Sequence, residues 1–235
     1  MKLKFALWIA VITAAFALTA AADQATVSSS TSTNGTAKAT NEVVEAKIPG
    51  DIYTNSIGMV LIKLPGGYWA GKYEVTQAEY QKIMGSNPSA FAGANQPVDS
   101  LNWNDAVDFC DKMTAHDLET NAVPKGFYYT LPTEDEWESM VADASLDDAI
   151  TSQNGAVRQS TSPVGSLHAN SLGLYDVRGN VMEFCQGDTA KPFRVLRGGS
   201  WQDSIEQNLR TAFRYYCKPE ESKNTFGFRC LLKQK

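Results

Sequence analysis

The chain has 235 residues, 43% hydrophobic, 20% charged and 10% aromatic, with a net charge of −5. This is a globular composition for one large domain or two small ones; it excludes a collagen-like or disordered chain, and it offers nucleic acid no basic footprint. The only two histidines, His116 and His168, leave no ligand set for a His-rich zinc or iron centre.

At the N-terminus, Lys2 and Lys4 precede an apolar run from Phe5 to Leu18, and Thr19-Ala20-Ala21-Ala22 follows. A positive start, a short apolar core and a small-residue end predict a signal peptide over 1–22, cleaved near Ala22. The run is shorter than the ~20 residues of a membrane span. The expectation is therefore a secreted or periplasmic protein with no span after cleavage. Losing Lys2 and Lys4 takes the net charge from −5 to −7. No cysteine follows the cleavage site, so a lipoprotein anchor is not supported. Residues 23–50 are rich in Ala, Ser and Thr and read as a low-complexity linker. The globular domain is expected over 51–235.

Within it, Met59-Val60-Leu61-Ile62 reads as a buried strand ended by Pro65-Gly66-Gly67. Thr76-Gln77-Ala78-Glu79 is a capping box for a helix to about Met84, stopped by Gly85 and Pro88. Asn102-Trp103-Asn104-Asp105 starts a second helix with an apolar face of Ala106, Phe109, Cys110 and Met113. Thr133-Glu134-Asp135-Glu136 caps a third, carrying Trp137 and Met140. Glycines, prolines and short apolar runs dominate from about Ala144. Strands are expected at 181–184, 195–197, 209–214 and 226–231. Helices early and short strands late give an α+β domain rather than βαβ units. In an oxidising compartment the four cysteines, Cys110, Cys185, Cys217 and Cys230, suggest disulfides with three open connectivities.

Seven segments in order resemble one family: Tyr73-Glu74-Val75-Thr76-Gln77; Pro97-Val98 with Trp103-Asn104-Asp105-Ala106; Leu131 to Glu138; Gly173 to Glu183; Arg197-Gly198-Gly199-Ser200-Trp201; Leu209-Arg210-x-Ala212-x-Arg214; and Gly227-Phe228-Arg229-Cys230. They resemble the formylglycine-generating enzyme (sulfatase-modifying factor) domain over roughly 54–232. The resemblance implies a C-type-lectin-like α+β fold with little regular secondary structure.

The family's founding activity oxidises a sulfatase cysteine to formylglycine with copper and oxygen. Copper(I) takes soft thiolates, which the family places just after R-G-G-S. Here Trp201 to Tyr216 holds no cysteine, Asp203 matches the first copper cysteine, and Met182 replaces the active-site Trp. No copper is expected, and the reading is a non-catalytic binding or scaffold module. The alternatives are a family enzyme and a structural subunit of an envelope assembly. Relatives that use the fold to present a binding surface imply ligand contacts by Gln202, Asp203, Tyr215 and Tyr216, with a protein or a glycan as partner. The resemblance also implies a calcium ion held by the side chains of Asp176 and Glu183 and the carbonyls of Gly179 and Val181, an all-oxygen set that suits calcium. It implies a Cys110–Cys230 disulfide. Cys185 and Cys217 are left over, and would pair if their strands meet in one sheet.

Overall fold

The computed structural model describes residues 46–153 and 157–235. The expected signal peptide, and the linker up to residue 45, lie outside the described residues. In chain order the elements are β1 (Ile52–Thr54), β2 (Val60–Lys63), β3 (Trp69–Gly71), α1 (Gln77–Met84), α2 (Trp103–Glu119), β4 (Phe127–Thr130), α3 (Glu134–Val141), β5 (Met182–Phe184), β6 (Arg194–Arg197), a 3-10 turn (Glu206–Leu209), β7 (Tyr215–Cys217), β8 (Phe226–Gly227) and β9 (Leu231–Gln234). Among the described residues no helix is long and apolar enough to cross a membrane.

The three helices start where local chemistry dictates. In α1 the Glu79 N–H donates to the Thr76 hydroxyl, and the Glu79 carboxylate accepts from the Thr76 N–H. Asn102 and Asp105 exchange the same pair of bonds at α2, as do Thr133 and Glu136 at α3. Each box satisfies backbone donors that the first helical turn leaves without partners. The expected apolar face of α2 is buried throughout, and Trp137 and Met140 of α3 are fully buried.

A five-stranded antiparallel sheet runs β1-β2-β3-β9-β4, so the last strand inserts between elements from the first half. A second sheet runs β7-β6-β5-β8, with β5 and β8 parallel. α1 and α2 pack on the larger core, where the Phe109 ring stacks on Tyr80 and meets Phe228 edge-on. A smaller core gathers Trp137, Met140, Leu174, Val177, Cys185 and Leu231 beneath α3.

The expected strand over 209–214 is not one. Its backbone closes the 3-10 turn and then a bend, and the ladder begins only at Tyr215. Two arginines, half-buried Arg178 and buried Arg197, claim the carbonyls that a strand would use: Arg178 donates to Leu209 O and Arg197 Nη2 to Thr211 O at 2.7 Å. The expected strand over 226–231 divides into β8 and β9, which join different sheets.

The cysteines separate into two cases. Cys110 and Cys230 are both buried, with Sγ atoms 3.6 Å apart and unbonded. Cys185 and Cys217 do share a sheet, but β6 runs between them. Cys217 sits opposite Arg194, and the Cys185 N–H donates to Val195 O. Two strand spacings are about 9.5 Å, more than the ~7 Å of Cα separation a disulfide spans. The two thiols also face different cores. The expected second bridge is corrected on these grounds.

Candidate functional site

β6 is followed by Gly198 and Gly199, with φ of 97° and 75°. A Cβ at Gly199 would lie 2.5 Å from Leu209 Cδ2, and one at Gly198 would lie 3.0 Å from Val177 O. Only glycine combines this backbone with this close approach. The turn delivers Ser200, Gln202 and Asp203 to a cavity of about 180 Å³, which Tyr215 of β7, Phe226 of β8, Met182 and the side chains of Lys223 and Thr225 complete.

Two polar networks fix its walls. Asp203 Oδ2 accepts from the Ser200 N–H at 2.9 Å and its hydroxyl at 2.7 Å, and Oδ1 accepts from Asn208 at 3.2 Å. Lys223 donates to the Tyr215 hydroxyl and pairs with Glu221 at 3.0 Å. The bond to Tyr215, and then that to Glu221, hold the Lys223 ammonium protonated above its usual range. Trp201 is structural: it is buried, its indole N–H donates to Asn224 O at 3.1 Å, and Phe91 packs edge-on against it.

Gln202, Asp203 and Tyr215 are therefore brought together as expected, and Tyr216 is not. Neighbouring strand residues point to opposite faces, and Tyr216 is 60% exposed on the face away from the cavity. Ser200, Lys223 and Thr225 were not expected there. The position of Ser200 directly after Gly198-Gly199 was a usable signal; Lys223, in an irregular loop, gave none.

The residues present do not fit a copper(I) centre. No thiol lines the cavity, and a carboxylate already committed to Ser200 and Asn208 is a hard ligand where copper(I) takes soft ones. The nearest cysteine in sequence, Cys217, is buried, and burial pushes its thiol up to about 11. Burial raises the Cys185 thiol further still.

Asp176, Gly179 and Val181 lie along one buried turn, in which Asp176 has a φ of 55°, and Glu183 follows on β5. The two carboxylates already have protein partners. Glu183 Oε1 accepts from Arg229 Nε at 3.0 Å and Nη2 at 2.7 Å, and Oε2 accepts from the Trp137 indole at 3.0 Å. Asp176 Oδ2 accepts from the Gly165 N–H at 2.6 Å. Glu74, which sequence reasoning did not assign, accepts from Asn180 Nδ2 at 2.7 Å and the Val181 N–H at 3.0 Å. Burial, and then the charges of Asp176 and Glu183, raise the Glu74 carboxyl well above its usual range. Among the described residues no group of three or more His, Cys, Asp or Glu side chains is placed to hold a metal ion.

The family model of the sulfatase-modifying factor enzyme 1-like domain matches residues 33–234. The chaperone protein LppX of Paenibacillus barcinonensis is 28% identical, over 59% of this chain and 70% of that protein. The formylglycine-generating enzyme of Streptomyces coelicolor is 27% identical, over 66% of this chain and 59% of the enzyme. The chain spans a fifth of the Chlamydia caviae serine/threonine-protein kinase pkn1, with 35% identity over 43% of its own length. Among solved structures, Treponema denticola variable protein 1 superposes with a TM-score of 0.59 over 79% of this chain and 92% of that one, at 24% identity, and so shares the fold.

Proposed function

The chain belongs to the sulfatase-modifying factor enzyme 1-like domain family, and from that premise we propose that it is an exported, non-catalytic member whose Gln202 cavity binds a protein or glycan partner. The observation that carries this reading is the make-up of the cavity. Asp203 stands where the family resemblance puts a copper cysteine, and its oxygens close the turn onto Ser200 and Asn208. The same bonds hold the walls rigid before any ligand arrives, which lowers the cost of ordering them on binding. Gln202 and Tyr215 supply the amide and aromatic surface that binding sites favour. The formylglycine-generating enzymes and the chaperone LppX are comparably similar in sequence, so the reading rests on the cavity.

Copper(I) retention tests it. The folded chain, reduced and titrated against a chromophoric copper(I) chelator, is expected to take no more copper than an Asp203→Ala variant. One equivalent held by the native chain and lost in that variant would overturn the reading. Export has its own check: N-terminal sequencing of protein recovered from outside the cytoplasm should begin at Asp23, and an intact Met1 would remove export.

A further inference from the structure

At about 180 Å³ the Gln202 cavity is smaller than the ~300–1,000 Å³ that encloses a whole small-molecule ligand, so it takes one group at a ligand's end. Its lining holds one acid and one base, and both are already paired. Asp203 accepts from the Ser200 N–H, the Ser200 hydroxyl and Asn208, and the Lys223 ammonium lies 3.0 Å from Glu221. A charged group entering here would lose its hydration without gaining an unpaired counter-ion, whereas a neutral group escapes that cost.

The buried part of the lining narrows the choice. Phe226 and Ser200 are closed off, at 0% and 1% exposure, whereas Met182 and Thr225 each keep 7%. The Thr225 hydroxyl makes no hydrogen bond among the described residues. Nor is it sealed in, because the fully enclosed side-chain atoms without partners belong to Asp99, Arg178, Arg194 and Arg197. A buried hydroxyl without a partner therefore opens on the cavity. The Tyr215 oxygen accepts from Lys223, which leaves the Tyr215 O–H free to donate. Two hydroxyl donors and a thioether thus stand ready for a group that brings an acceptor and a small apolar tip.

An acetyl group carried on nitrogen brings both. Its carbonyl accepts from the hydroxyls, its methyl suits the soft Met182 sulfur, and its N–H can meet the exposed Gln202 amide oxygen. A primary carboxamide, as on Asn or Gln, would set an NH2 where the methyl goes and strand its donors against the thioether. At the mouth, Gln202 and Lys223 are polar and exposed, which suits a hydroxylated ring better than the long apolar stem of an acetylated lysine. On the premise that this cavity is a binding site, we propose that it takes the acetamido group of an N-acetylated amino sugar, with Thr225 and Tyr215 donating to the carbonyl and Met182 against the methyl.

The test is ¹H–¹⁵N NMR titration of the chain with N-acetylglucosamine and N-acetylgalactosamine. Glucose serves as the sugar without the acetamide, and N-acetyllysine amide as the acetyl group on a peptide stem. At least one acetamido sugar is expected to shift amides confined to 182, 200–203, 215 and 223–226, and glucose to shift none of them at the same concentration. Thr225→Val keeps the side-chain shape and removes only the hydroxyl, and should weaken binding about fivefold, the worth of one neutral hydrogen bond. Tyr215→Phe, at a half-buried position, should also weaken it. Any of four results would overturn the proposal: neither acetamido sugar moving those amides, glucose moving them equally, binding unchanged in both variants, or tighter binding of the acetylated lysine. None of the four alters the copper(I) titration, so a wrong ligand is distinguished from a wrong reading of the cavity.

Discussion

At the scale of single residues, Arg229 sets the chemistry of the interior. It is fully buried, forks onto Glu183, and donates to Gly71 O at 2.9 Å and Tyr175 O at 2.7 Å. It thereby ties β3, the Asp176 turn and β5 together. Removing one partner of a buried ion pair strands the other charge, at a cost of about 3–5 kcal/mol. Arg229→Met should therefore lose stability of that order in urea denaturation; a loss under 1 kcal/mol would mean the pair is dispensable. Since Glu183 is spent on Arg229 and Trp137, the thermal melt should be the same in EDTA and in excess calcium. A ligand bound only to the native state would add about 2.7 kcal/mol of stability at one hundred times its Kd, so a clear calcium-dependent rise would show a bound cation.

Asp99 tests the same physics through pH. It is fully buried, Oδ1 accepts from the Ala90 N–H and the Ser100 hydroxyl, and Oδ2 has no partner. Burial raises its carboxyl above the usual 3.8. A raised folded-state value means that the fold favours the proton. The stability this gives is complete below the unfolded value and is lost as pH rises through the folded one. Asp99→Asn removes the buried charge and should be more stable than the parent at pH 7 by about 1 kcal/mol, with the gap closing toward pH 4. A gap that widens on acidification would reverse the sign of this account.

At the scale of elements, what could be read from the sequence was what is local. Thr76, Asn102 and Thr133 marked the helix starts correctly, because a capping box is complete within four residues. The strands were harder. They are two to four residues long, and their partners are distant: β9 sits between β3 and β4, and β8 pairs in parallel with β5. β3 (Trp69–Gly71) has no alternation to detect, since all three of its residues are buried. The candidate site divides the same way. Gln202, Asp203 and Tyr215 followed from their place after R-G-G-S. Excluding Tyr216 required knowing the strand register, and Lys223 reaches the cavity from a loop without periodicity. Element topology also decides the cysteines. α2 and the residue before β9 bring Cys110 and Cys230 within 3.6 Å, whereas β6 parts Cys185 from Cys217. Non-reducing peptide mapping of the oxidised protein should find Cys110 linked to Cys230 and the other two free. A Cys185–Cys217 peptide would contradict the sheet order itself.

At the scale of the whole molecule, the small second sheet carries the functional argument. Its inner strands β5 and β6 are anchored from below: Arg197 pairs with Glu134 and Glu138 of α3 and lies over the Trp137 ring, and Glu183 holds Arg229. Its rim contributes Ser200, Gln202, Asp203, Tyr215 and Lys223 to the 180 Å³ cavity. A rigid base with a variable rim lets one fold serve different chemistries, and here the rim has no thiolate to hold copper(I). The most direct measurement is mass spectrometry of a sulfatase-derived peptide bearing the motif C-x-P-x-R, incubated with the folded chain, copper(I) and oxygen. This account predicts that the peptide cysteine is unchanged, as in the protein-free control; conversion to formylglycine above that control would contradict it.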